Sequence, residues 1–286
     1  MCTVLFSDAH LHVNPVKGFG AEKIAKRFKK ENGWFIAIVA LPPYYYDFEE
    51  ISPSSYMRVL DLLNKEAAKA KEVGLEVVKF MGIHPAEIDE YYRRGVKGEK
   101  LYSVLREVLK LIENSIKNGL LDGIGEVGRQ HYTTSSERLV LSEIIMRDAM
   151  TIAKDLGVPL QLHLEQGGFI TALSIKLLLN MLGLSNRQAI LHHVNSETSF
   201  WASIHSLPFT APVKYLNEEY LKSNLAEYCM LESDFLDDPR RPGVSAYPWD
   251  IPVAVRELIA RGLITEELAY KIMVDNVVKY FSVKPP

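Results

Sequence analysis

Apolar residues in this chain alternate between two patterns: short continuous runs, and longer stretches in which they recur every three or four positions. The run Trp34-Phe35-Ile36-Ala37-Ile38-Val39-Ala40 has strand length and no polar face, which suits a strand buried on both sides of a parallel sheet. The same reading places strands over 3–12, 76–82, 121–128, 158–164, 188–193 and 228–234, with a looser one over 199–209. Helices are predicted over 21–31, 54–73, 100–117, 136–156, 170–182, 216–226, 252–261 and 266–280. In 100–117 the residues Leu101, Val104, Leu105, Val108, Leu111 and Ile112 make one apolar stripe, and Asn118-Gly119 ends the helix. Strand-like segments alternating with helices, with no linker or low-complexity run between them, predict an α/β chain folded as one (β/α)8 TIM-type barrel over residues 1–286.

Composition agrees with that size of core. The 286 residues are 48% hydrophobic and 24% charged, a globular balance. A net charge of −3 argues against a non-specific binder of nucleic acid. Two cysteines, Cys2 and Cys229, provide neither a four-thiolate zinc site nor a disulfide framework. No secretory signal and no apolar run of about 20 residues is visible, so the expectation is a cytoplasmic protein without a membrane partner.

Candidate chemistry follows from where polar residues interrupt the apolar runs. Asp8, His10 and His12 share one face of an extended strand because side chains alternate, and two imidazoles on one face can hold a divalent ion. Further candidates close later strands: His84, Glu126, His163, His192 or His193, and Asp234. In a (β/α)8 barrel these strand ends converge on the face that carries catalytic residues. His131 and His205 receive no ligand role. Imidazole and carboxylate suit zinc, manganese or magnesium, and Glu126 between two ions can bridge them. His10 and His12 then hold one ion, His163 and a strand-six histidine the other, with Asp234 beside both. Such a pair acidifies a shared water for attack on an ester, amide or phosphoryl centre, and Asp234 is placed to take its proton.

These residues resemble the TatD-type metal-dependent hydrolases of the amidohydrolase superfamily. Asp8-Ala9-His10-Leu11-His12 is similar to its DxHxH, Gly82-Ile83-His84-Pro85 to its G(I/L)HP, and Gly125-Glu126-Val127-Gly128 to its GEIG. The stretch from Val158 to His163, Glu232-Ser233-Asp234 and Asp275-Asn276-Val277 to Phe281 resemble, in order, its next histidine strand, its ETD and its NxxxxF. The resemblance implies a distorted barrel, two divalent ions, and the ligands His10, His12, Glu126, His163, a strand-six histidine and Asp234. His193 is preferred for strand six because His193-Val194-Asn195-Ser196-Glu197 resembles the HVNE-type sequence of an archaeal-looking branch, with His192 the alternative. By analogy His84 faces the substrate.

The chain departs from the family pattern at two places. Where many TatD-type nucleases carry an arginine two residues after the fifth-strand histidine, this chain has Glu165, an anion where a phosphodiester calls for a guanidinium. After Gly128 it has Arg129-Gln130 instead of Leu-Asp, and Arg129 is the candidate replacement cation. The tyrosine-rich loop Pro42–Tyr46 is read as a pocket wall or as surface packing. The expected function is a metal-dependent hydrolase of a phosphoester or nucleic-acid end, a TatD-like deoxyribonuclease. An amidohydrolase acting on an amide, lactone or cyclic amide is the alternative, favoured by Glu165 and the tyrosines. A silent metal- or ligand-binding barrel that recruits a partner is the reading outside catalysis.

Overall fold

Eight parallel strands lie in the sheet in chain order, each hydrogen-bonded to the next. They are β1 Phe6–Leu11, β2 Gly33–Val39, β3 Glu76–Met81, β4 Gly123–Gly128, β5 Leu160–His163, β6 Ala189–Leu191, β7 Phe209–Pro212 and β8 Cys229–Glu232. The computed structural model describes residues 4–221, 223–241 and 243–286, so Cys2 and the start of the first predicted strand lie outside the described residues. A bridge between Leu11 and Phe235 brings β1 back to the chain beyond β8, with Asp234 N–H donating to His10 O and His12 N–H to Phe235 O. The sheet is thereby a nearly closed barrel. Every residue of β2 is buried, as an apolar run in such a sheet requires.

The helices α1 Ala21–Lys30, α2 Pro53–Glu72, α3 Pro85–Arg93, α4 Gly98–Lys117, α5 Ser136–Leu156 and α6 Phe169–Leu182 cover the outside. α3 was not visible as a periodic stripe. Its start is built by His84, whose side chain accepts the Ala86 N–H while Glu87 accepts the His84 N–H, with Pro85 at the first helical position.

The segment 199–209, expected as a strand, is corrected: α7 spans Ser196–Ile204, and β7 begins only at Phe209. Asn195 caps α7 by accepting the Thr198 N–H, and Thr198, Ser199, Ala202 and Ser203 are its buried face. Small residues there hid the period from a reading keyed to large apolar side chains. The predicted helix 216–226 is a 3-10 turn at Glu218–Leu221 and the short α8 Ser223–Ala226. After β8 come α9 Asp250–Ala260, α10 Glu266–Tyr270, a π-turn at Lys271–Asp275, and α11 Asn276–Phe281.

Two glycines show how tightly the strands approach around β4. A Cβ on Gly82 would stand 2.2 Å from the Glu126 carbonyl oxygen, and one on Gly128 would stand 1.8 Å from the His163 carbonyl oxygen. These contacts leave room only for glycine and fix the backbone on either side of Glu126. At the other end, Asn276 donates to the carbonyls of Ala226 and Cys229 at 2.7 Å each, while Phe281 packs against Phe35 and Phe80. The closing motif is therefore a structural tie.

Candidate metal centre

Glu126 is the middle of the site. Its carboxylate is 6% exposed, and its two oxygens face different sets of imidazoles. Oε1 lies 3.5 Å from His10 Nε2 and 3.4 Å from His12 Nε2. Oε2 lies 2.8 Å from His163 Nδ1, 3.5 Å from His84 Nε2 and 3.6 Å from His192 Nε2. Asp234, at φ 51 just past β8, puts Oδ1 3.8 Å from His12 Nε2 and 3.9 Å from His192 Nε2.

Neighbouring groups orient the rings. Gln161 on β5 donates from its amide nitrogen to Ala9 O, which leaves its carbonyl oxygen to accept from His10 Nδ1. His12 Nδ1 donates to Val39 O at 2.8 Å, and His192 Nδ1 pairs with Glu232 at 2.7 Å. In His10 and His12 the outer nitrogen carries the proton and Nε2 turns a lone pair inward, and His192 shares a proton with Glu232 at Nδ1, the kind of support that carboxylates and carbonyls give to metal-binding histidines. His84 is the reverse: its Nδ1 accepts the Ala86 N–H at 3.0 Å, so the neutral ring carries its proton on Nε2 and points a donor at the centre.

The electrostatics are those of a cation site. Burial works against ionising Glu126, but His84, His192, His10 and His12 outweigh it and hold the carboxyl well below its usual range. Burial, reinforced by neighbouring imidazoles, holds His163 and His192 well below the ordinary histidine value. His12 is the exception, since Glu126 and Asp234 overcome burial and raise it. Burial also lifts Glu232 well above the carboxyl range and Asp8 to about 7. Asp8 points away from the centre, accepting from the Ser233 backbone and hydroxyl and tying β1 to β8. His163 Nε2 and Glu232 Oε1 are buried without a hydrogen-bond partner among the described residues. Deprotonated imidazoles around an ionised carboxylate fit divalent ions of the zinc or manganese kind.

The six residues expected as ligands are thus brought together, and both strand-six histidines reach the chamber. Adjacent residues can both turn inward here because β6 ends at Leu191 and His193 takes φ 43. His192 is buried and stacks on His10, ring centroids 3.6 Å apart; His193 instead brings Nε2 to 3.1 Å from His163 Nδ1. His131, given no role from sequence, lies with its ring 4.7 Å from that of His163. It follows β4 by three residues, a spacing that carries no strand-face signal. His205 caps the end of α7.

Arg129, expected to face substrate, is committed elsewhere. Its guanidinium makes two 2.8 Å bonds to Glu165, and reaches Glu143 and Ser174. The cavity over the centre, about 290 Å³, is walled by Tyr44, Tyr45, Tyr132, Leu41 and Leu236, with Arg241 at its edge. Of the loop tyrosines only Tyr46 turns inward to pack, its hydroxyl donating to Val13 O.

The nearly closed parallel barrel is a fold shared with solved proteins. The phosphotriesterase homology protein of Escherichia coli, solved with phosphate in its active site, shares the fold with a TM-score of 0.64 at 13% identity, covering 98% of this chain and 100% of that one. The TatD-like protein of Archaeoglobus fulgidus matches with a TM-score of 0.67 at 20% identity over 97% of this chain and all of that one. The chain belongs to the TatD related DNase family, whose model matches residues 7–282. The uncharacterized protein MJ1127 of Methanocaldococcus jannaschii is 28% identical over 278 residues, 96% of this chain and 95% of that protein. Among the described residues no helix is long and apolar enough to cross a membrane.

Proposed function

We propose that the protein is a hydrolase using two divalent ions, one held by His10, His12, Glu126 and Asp234, the other by Glu126, His163 and His192, and that it acts on a phosphoester or a nucleic-acid end. The observation that carries this reading is the division of imidazoles between the two oxygens of Glu126, as a bridging carboxylate needs. His192 replaces His193 in our assignment because its Nδ1 is held by Glu232 and its Nε2 faces Glu126. When bound, the ions supply Lewis acidity and make a water nucleophilic at neutral pH.

The chain's own residues do the rest. Asp234, 34% exposed at its side chain, is the group at the edge of the cluster that accepts the attacking water's proton and returns it to the leaving group. Glu126 keeps both halves of the ligand set in place. His84 donates from Nε2 to the oxygen that gains charge as the tetrahedral or phosphoryl centre forms. The tyrosine walls exclude water and pack the remainder of the substrate, and Arg241 offers a cation to an anionic group at the rim.

A second reading, hydrolysis of a neutral ester, lactone or amide, is favoured by one observation: Glu165 occupies the Arg129 guanidinium. Cleavage of labelled single-stranded DNA and of an aryl phosphodiester, set beside a lactone and amide panel in zinc and in manganese, separates the two. Turnover of the phosphodiesters that is lost in Asp234→Ala supports the first. Turnover confined to lactones or amides supports the second, and absence of any metal-dependent turnover opposes both.

A further inference from the structure

Two cavities meet at the carboxyl end of the barrel, and His131, His193 and Asp234 form part of the wall between them. The inner cavity holds the centre described above. The outer one, about 350 Å³, extends past Gln166 and Lys214. Neither His131 nor His193 is needed for the two-ion assignment, yet both place their rings beside His163.

We propose that His131, His163 and His193 form an outer metal-binding station through which the His163-side ion enters and leaves, an inference that rests on the two-ion reading. The ligand nitrogens of these three imidazoles lie within 4.8 Å of one another. Their ring centroids are 4.5 Å apart for His163 and His193, and 5.4 Å for His131 and His193. Three imidazoles without a carboxylate suit zinc, nickel or copper ahead of magnesium. Three protein ligands with one side open also leave a coordination position free.

Two further observations give the station its direction. Burial is graded: His163 is buried, His193 intermediate and His131 exposed, a line of imidazoles from solvent to Glu126. His193 also holds φ 43, a conformation a residue with a Cβ seldom adopts, and this backbone turn accompanies a ring that lies against His163. His163 Nδ1 faces both Glu126 Oε2 at 2.8 Å and His193 Nε2 at 3.1 Å. Once an ion displaces the Nδ1 proton to solvent, the one lone pair there serves one ion at a time, so the inner and outer stations are alternatives for the same ion and His163 is the residue that hands it across.

The test is anomalous diffraction above and below the zinc edge on crystals of the full chain soaked in graded zinc, for the wild type, His131→Ala and His193→Ala. His131 is exposed, so its substitution spares the core. The expected result is a zinc peak against His131 and His193 in the wild type at high zinc, lost in both variants while the peaks around His10, His12 and Glu126 persist. Stopped-flow zinc uptake by metal-free protein is then slower in both variants, with the same final stoichiometry. Peaks at the inner positions alone, at every zinc concentration, or uptake unchanged in the variants, overturn the outer station and leave the two-ion reading standing. No peak anywhere overturns both.

Discussion

The Nε2 atoms of His10 and His12 lie 3.3 Å apart, and each ring donates from Nδ1 to a carbonyl oxygen on the far side. The two Nε2 positions therefore face each other, and Glu126 and Asp234, which raise His12, favour a positive charge between them. A divalent cation coordinated by both nitrogens meets that demand better than a shared proton. Zinc binding should for this reason stabilise the fold. At about 100 times its Kd an ion contributes roughly 2.7 kcal/mol. Urea unfolding with zinc or with a chelator should show a gap of that order per site, reduced by one site in His10→Ala/His12→Ala.

Arg129 and Glu165 form a two-bond pair, with the arginine side chain 13% and the glutamate side chain 36% exposed. Removing the arginine alone leaves Glu165 and Glu143 facing each other without their cation. Arg129→Ala should thus cost more stability than Arg129→Ala with Glu165→Ala, with a coupling of about 1–3 kcal/mol in a double-mutant cycle. Additive effects would separate Arg129 from Glu165 in energy as well as role.

Glu87, on the buried face of α3, accepts from Tyr56, Tyr91 and the His84 backbone, and burial raises its pKa. A carboxyl raised in the folded state binds its proton more tightly there than in the unfolded chain. Stability from this group is complete below the ordinary carboxyl range and falls as pH climbs from there to the raised value. Gln at this position does not titrate. As pH rises above the ordinary carboxyl range, about 4, the melting temperature of Glu87→Gln should move upward relative to wild type. A difference that stays constant over that rise would show that Glu87 titrates normally.

Asn276 is buried and donates to the carbonyls of Ala226, at the end of α8, and Cys229, at the start of β8. Asn276→Ala leaves both acceptors unpaired, at roughly 1–3 kcal/mol each. Thermal melts should show the loss without any change in metal stoichiometry, since the side chain touches none of the ligands.

The barrel was legible because its signal is carried by large apolar residues. Runs such as 34–40 and the stripe of α4 read correctly, as did the recurrence of His and carboxylate at strand ends. What failed had no such signal. α7 buries Thr198, Ser199, Ala202 and Ser203, small side chains that draw no period, and the run Ser199-Phe200-Trp201 mimics a strand. α3 depends on a histidine cap, a rare choice. At the site, sequence order supplies the candidates but not their directions: the strand expected over 188–193 stops at Leu191, so the chain turns before His192 and His193. His131 and the Arg129–Glu165 pair are contacts between loops, and adjacency in sequence points Arg129 the wrong way.

The two-ion centre is tested most directly by counting ions. Elemental analysis of the purified chain, after zinc loading and removal of loose metal, is compared among the wild type, His10→Ala/His12→Ala and His163→Ala/His192→Ala. The account predicts about two zinc ions per chain in the wild type and about one in each double variant, with circular dichroism reporting an intact barrel in all three. A wild type that retains no zinc, or double variants that retain as much as the wild type while folded, would contradict it.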